Sequence, residues 1–279
     1  MKIGRVILSD SHDSPALLAQ EGKEWRRIEA YPDMLAAIQA NPAALRSAYQ
    51  QAKPVDLSGV RWLAPVQPSK IIAIGRNYRE HAIEGNAAIP SHPLIFAKLP
   101  SSVTDPNAAI TWKASLTSFV DYEGELAVII GREARDVTES DALGYVFGYT
   151  CGNDVTARDL QDGDGQWTRG KGLDTFCPLG PWIVTADEIP DPHALAIRTE
   201  VNGETRQSDS TGSMMFSVAH LIAHASEAFT LYPGDVILTG TPPGVGRHRK
   251  PPVNLRDGDQ VVVEIERIGR LENTCREVG

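Results

Sequence analysis

The sequence predicts an α+β fold rich in β-structure, a roll or sandwich with short helices, preceded by a small α/β unit. Three observations carry this. From Ser69 onward, apolar runs of strand length recur between turn residues. Asn202-Gly203 is a strong hairpin signal, and Pro233-Gly234-Asp235 and Asp257-Gly258-Asp259 mark further turns. There is no regular alternation of strand and helix patterns, which argues against a doubly wound sheet.

Taken in order, Lys2 to Leu8 and Pro15 to Gln20 read as strands, and Glu21-Gly22-Lys23 as the turn into Trp25 to Glu29. Asp33 to Ile38 and Ala43 to Leu45 read as helical, broken at Asn41-Pro42. Pro54 to Pro68 is proline-punctuated and extended, so the chain divides there into a small N-terminal domain over 1–67 and a larger one over 68–279. In the larger unit Ile71 to Ile74, Leu94 to Ala97, Leu126 to Ile130, Trp182 to Thr185, Ile197 to Val201, Val236 to Thr239 and Val261 to Ile265 read as strands. Glu139 to Ala142 and Phe216 to Ala228 read as helices.

Composition is that of an ordinary globular protein, 42% hydrophobic and 23% charged, and 279 residues suffice for a sizeable core. The net charge of −9, with no long basic run, argues against nucleic acid or an anionic membrane as partner. Any anionic substrate must then be drawn in by a local positive centre. Three widely spaced cysteines, Cys151, Cys177 and Cys275, fit neither a disulfide framework nor a zinc site; they read as reduced core residues of a cytoplasmic protein. The first apolar run is broken too soon by Ser9-Asp10 for a signal peptide, and no run approaches membrane-spanning length.

The chemistry centres on acids. Glu123 and Glu125 are one residue apart, so on a strand they point the same way. Alone, such a pair is usually a solvated strand face. With Asp154 converging and no Cys or His among them, three acids describe a site for a hard divalent cation, Mg²⁺ or Mn²⁺. His81 and Glu84, three residues apart, share a face of a helical turn, where the carboxylate fixes the imidazole tautomer and raises its basicity. Lys171 stands between Gly170 and Gly172 with little local packing, so a ligand or carboxylate must position it. Asp162-Gly163-Asp164-Gly165 starts like a calcium loop but lacks the glutamate at the twelfth position, where Leu173 stands, and reads as a turn. His220 and His224 have the spacing of a helical zinc pair without the metalloprotease glutamate, and read as structural. Thr239 to Gly246 is rich in Gly and Pro; it lacks a phosphate-loop pattern but permits close backbone approach to a small ligand.

Together these segments resemble the fumarylacetoacetate hydrolase family over about residues 68–279. The matching stretches are Ile71 to Ala82, Asp121 to Leu126, Gly152 to Gln161, Lys171 to Pro181, Val201 to Glu204, Pro233 to Asp235 and Thr239 to Pro242. The N-terminal unit resembles the small extra domain of bacterial members of similar length. The resemblance implies a mixed β-roll, a homodimer, and one Mg²⁺ or Mn²⁺ per subunit on Glu123, Glu125 and Asp154. It implies a water-activating dyad of His81 and Glu84 on a lid, with Lys171 against the substrate. Arg76, Gln161 and Thr241 are the implied substrate-binding residues, Thr241 near the substrate carboxylate.

The expected activity is hydrolysis of the C–C bond of a 2,4-dioxo acid, such as an acylpyruvate or fumarylpyruvate, to pyruvate and a carboxylate. In that scheme the cation polarises the 2-oxo group, His81 activates water, and Lys171 helps stabilise a pyruvate enolate. Decarboxylation of oxaloacetate, or isomerisation or hydration of an unsaturated 2-oxo acid, would use the same enolate site. A metal-dependent binding protein without turnover would need the acids but not the dyad.

Overall fold

A computed structural model of the chain describes residues 1–9 and 14–279. Asp10, which with Ser9 breaks the first apolar run, lies outside the described residues. A 12-stranded sheet runs through the molecule. One of its interior strands, Gly124–Ile130, pairs antiparallel with Val146–Asn153 on one side and Val236–Leu238 on the other. Val236–Leu238 continues in parallel to Ile71–Gly75, which pairs with Leu94–Lys98. In the other direction Val146–Asn153 pairs with Cys177–Thr185, and that strand with the N-terminal Lys2–Ile7. The N-terminal strands therefore extend the same sheet. A five-stranded sheet, ordered Glu204–Ser210, Ala196–Val201, Gln260–Ile265, Gly269–Val278 and Ala109–Lys113, packs against it.

The uninterrupted apolar run after Glu125 follows from burial on both faces. Leu126, Val128 and Ile130 share a core with Ile197, Val263 and Leu271 of the second sheet and Leu221 of the helix Val218–Ala228. Ala127 and Ile129 face a second core that contains Ile71, Val236 and, from the helices Met34–Gln39 and Pro42–Gln51, Ile38 and Leu45. Asn41-Pro42 proves to be a cap rather than a break alone. The Asn41 side chain accepts from Ala44 N at 2.8 Å, and Pro42 opens the helix where its missing N–H is not needed. Asn202 and Gly203 join Ala196–Val201 to Glu204–Ser210 with φ of +54° and +78°, as a tight hairpin turn requires.

The strand Val146–Asn153 is absent from the sequence reading because Gly148 and Gly152 look like breaks. They are there for close approach: a Cβ on Gly148 would lie 2.3 Å from the Val184 carbonyl oxygen. All three cysteines are free and buried, and burial pushes the Cys177 thiol up to about 12. Among the described residues no helix is long and apolar enough to cross a membrane.

Candidate active site

Strand parity puts Glu125 on the same face as Ala127 and Ile129, 1% exposed. Glu123 lies one residue outside the strand rather than on it. Backbone bonds place it instead. Glu123 N donates to Asn153 Oδ1 at 3.0 Å, and Asp154 N donates to the Glu123 carbonyl at 2.8 Å. One carboxylate oxygen each from Glu123, Glu125 and Asp154 then lies within 4.8 Å of the others.

Buried cations balance most of this charge. Lys171 Nζ donates to Glu123 Oε2 at 2.8 Å and to Asp154 Oδ2 at 2.7 Å. It is 2% exposed and closes the short helix Thr168–Lys171, and the carboxylates position it as expected. Lys98, the last residue of its strand, donates to Asp154 Oδ1 at 2.6 Å, to the Val155 carbonyl at 3.2 Å and to the Lys171 carbonyl. Arg158 Nη2 pairs with Glu123 Oε1 at 2.7 Å and Asp121 Oδ2 at 2.8 Å.

Burial alone would raise Glu123, but the charges of Lys171 and Arg158 outweigh it and hold the group below the usual carboxylate range. Glu125 moves the other way: burial, then Asp154 and Glu123, push it well above that range. Burial would lower Lys171, yet Asp154 and Glu123 keep it raised and charged. Among the described residues Glu125 has no basic partner; Gly240 N donates to its Oε2 at 2.7 Å. It is the uncompensated member of an all-oxygen, buried set of three, and a hard divalent cation fits that chemistry. Gly240 holds its donor in place at φ +97°, where an added Cβ would lie 2.7 Å from Asn77 Cβ.

The dyad is formed on the helix Arg79–Glu84. His81 Nδ1 and Glu84 Oε1 are 2.8 Å apart, and both Glu84 oxygens accept from Gly244 N at 3.1 and 2.9 Å. With Glu84 accepting from Nδ1–H, the tautomer of the neutral ring has its lone pair at Nε2. A cavity of about 200 Å³ is lined by His81, Glu123, Lys171, Arg76, Gln161 and Thr241, among others. It thus brings one member of the dyad, His81, and one of the acid cluster, Glu123, together with all three expected substrate residues.

Those three are not equivalent. Arg76 sits at φ +57°, an uncommon conformation for a bulky residue, with its guanidinium over the Trp167 ring at 5.7 Å. Gln161 Oε1 accepts from Arg158 Nη1 at 3.2 Å, and among the described residues its amide N–H groups have no partner and are available to a ligand. The Thr241 hydroxyl already donates to the Gly124 carbonyl at 2.9 Å and accepts from Gln207 at 2.7 Å, so its proton is committed to the protein. Asp162 and Asp164 are not a plain turn. They end the helix Arg158–Asp164 and pair with Arg247 and Arg169. His220 pairs with Glu139 at 3.1 Å, outside the cavity.

Lys98, Arg158, Asp121, Arg247 and His248 are the residues of this region that the sequence reading leaves without a role. Arg158 and Asp121 stand inside the matching stretches and were legible as neighbours of the acids. Nothing local marks Lys98 or Arg247.

A β-rich fold with a buried carboxylate cluster, its counter-cations and a histidine dyad around one small cavity defines an enzyme of organic-acid chemistry. The chain belongs to the fumarylacetoacetate hydrolase family: the fumarylacetoacetate (FAA) hydrolase C-terminal domain matches residues 70–276. The chain is 47% identical over 232 residues to the mitochondrial oxaloacetate tautomerase Fahd2a of Rattus norvegicus, covering 82% of this chain and 74% of that protein. It is 49% identical over 221 residues to the oxaloacetate tautomerase YisK of Bacillus subtilis, covering 78% and 73%. Among solved structures, the fumarylacetoacetate hydrolase of Exiguobacterium antarcticum aligns over 100% of both chains with TM-score 0.87 and 40% identity.

Proposed function

We propose that this enzyme interconverts the enol and keto forms of a small dicarboxylic 2-oxo acid, with oxaloacetate as the substrate to test. This is the isomerase side of the sequence reading rather than C–C hydrolysis. The observation that carries it is His81, paired with Glu84, lining the same small cavity as Glu123 and Lys171. The tautomerases similar to this chain at 47% and 49% identity support it.

In this reading Arg76 and the free N–H groups of Gln161 hold the carboxylate next to the 2-oxo group. Bound at Glu123, Glu125 and Asp154, Mg²⁺ or Mn²⁺ would supply a Lewis acid beside that group. Glu84, fixed by Gly244 N–H, keeps the His81 tautomer with a basic Nε2. His81 transfers the proton at C3: in the keto direction a C3–H bond forms as the enol O–H bond breaks, and the molecular formula is unchanged. The Lys171 ammonium stabilises negative charge on the 2-oxo oxygen as it develops.

The dyad also favours a second reading, hydrolysis of a 2,4-dioxo acid, because it could activate water. One ultraviolet assay separates them. The enol absorbance of oxaloacetate and the consumption of an acylpyruvate are followed with wild-type enzyme and with His81→Ala. Fast enol decay that falls about 10²- to 10⁴-fold in the variant is the expected result. Acylpyruvate cleavage without enol conversion would replace the first reading with the second.

A further inference from the structure

We infer that Arg247 selects a substrate bearing a second carboxylate distal to its 2-oxo group, exchanging its partner Asp162 for that carboxylate. The inference rests on the 2-oxo acid reading above. Arg247 lies in the short helical turn Gly246–His248 and lines the cavity beside Gln161 and Arg76. Its guanidinium grips Asp162 through both ends, Nη1 to Oδ1 at 3.1 Å and Nη2 to Oδ2 at 2.7 Å, and Nη1 lies 3.5 Å from Gln161 Oε1. No other bond from this side chain forms among the described residues, so Nε–H is unused.

The turn itself is fixed. Gly246 N donates to Asp121 Oδ1 at 2.8 Å and Arg247 N to Asp121 Oδ2 at 3.0 Å. The same carboxylate holds Arg158, so the Arg247 backbone has a set position relative to the acid cluster. Arg158 and Arg247 are two arginines on one aspartate with opposite prospects. The Arg158 side chain is 6% exposed and locked between Asp121 and Glu123. The Arg247 side chain is 30% exposed and its partner Asp162 is 58% exposed. An ion pair so open to water contributes little stability, so a ligand carboxylate can displace Asp162 at small penalty. The forked guanidinium matches the incoming carboxylate as it matched Asp162. Lys171 and Arg158 are already engaged by Glu123, Asp154 and Asp121, and Arg76 is assigned to the carboxylate beside the oxo group. A dianion entering an acidic protein therefore finds its second cation in Arg247. A monocarboxylate leaves the Arg247–Asp162 pair closed.

The test is calorimetric binding to the Mg²⁺-loaded protein of oxaloacetate and 2-oxobutyrate, which differ by a distal carboxylate in place of a methyl. Wild type should prefer oxaloacetate by about 10- to 100-fold, the range of one charge-assisted hydrogen bond. Arg247→Met should remove that preference without changing 2-oxobutyrate affinity, Arg247→Lys should keep part of it, and Arg76→Met should weaken both ligands. Melting curves check that the variants are folded. No preference in wild type, or equal weakening of both ligands in Arg247→Met, overturns the inference. Selective loss in Arg247→Met from a protein that shows no enol conversion leaves the inference standing and removes the tautomerase reading. If neither acid binds wild type, both fall.

Discussion

Replacing Lys98 by Met tests whether the acid cluster is held together by buried counter-charge. Lys98 is 1% exposed, and its ammonium reaches Asp154 Oδ1 at 2.6 Å and two backbone carbonyls. The methionine keeps the volume and deletes the charge. Breaking a buried pair by removing one partner costs about 3–5 kcal/mol, because the remaining charge is left uncompensated. Here Asp154 keeps one cation, Lys171, at 2.7 Å, so the low end, about 3 kcal/mol, is expected. For a chain of this size that is a fall in melting temperature of about 6–12 °C. Scanning calorimetry in EDTA and then in excess Mg²⁺ is the assay. Mg²⁺ should restore more stability to the variant than it adds to wild type, since the ion replaces lost positive charge beside Asp154. Adding Asp154→Asn to Lys98→Met should cost less than the two single changes summed, as expected for residues in contact. A shift below about 1 kcal/mol in EDTA, where a buried charge should be most exposed to the loss, would refute the reasoning.

Three further outcomes follow from the same geometry. Gly240→Ala should lower metal affinity and activity together, because the strain at φ +97° and the 2.7 Å clash with Asn77 Cβ displace the N–H that Glu125 accepts; unchanged Mn²⁺ affinity would separate that donor from the site. Glu123 has a folded pKa below its ordinary 4.5, so its ionised form adds stability above that value and the gain is lost as pH falls below it; Glu123→Gln should flatten the acid limb of the melting-temperature curve, and an unaltered limb would contradict the assignment. Glu125 has the opposite sign. Its raised pKa means that ionising it destabilises the metal-free fold as pH climbs past the ordinary value, so the stabilisation by Mg²⁺ over EDTA should grow from about pH 5 to about pH 8, and a flat difference would count against it.

The sequence carried the site further than it carried the fold. Glu123, Glu125 and Asp154 are legible because their neighbours form ordered stretches that match a known family, and His81–Glu84 because a three-residue spacing on a helix is a local geometric fact. Lys171 is legible as a lysine that a carboxylate must position, but not which one: its partners are 17 and 48 residues away, and burial made by distant carboxylates leaves no trace in flanking glycines. Lys98 was missed because the strand pattern ends at apolar Ala97, one residue short of the side chain that turns into the cluster. Arg247 stands in a Gly- and Pro-rich segment whose path is set by hydrogen bonds to Asp121, more than a hundred residues earlier. In the fold, hairpin turns and caps were readable at short range. The strand Val146–Asn153 was not, since glycines required by neighbouring strands look like turn residues until those neighbours are known.

Glu123, Glu125 and Asp154 are proposed to hold one cation beside the cavity that His81 and Lys171 line. The most direct test of this site is Mn²⁺ binding by electron paramagnetic resonance on chelator-stripped protein, wild type beside Glu125→Gln. Wild type should bind one Mn²⁺ tightly per chain and show a perturbed spectrum on adding oxaloacetate, and the variant should lose the bound signal. An undiminished bound signal in Glu125→Gln would contradict the assignment.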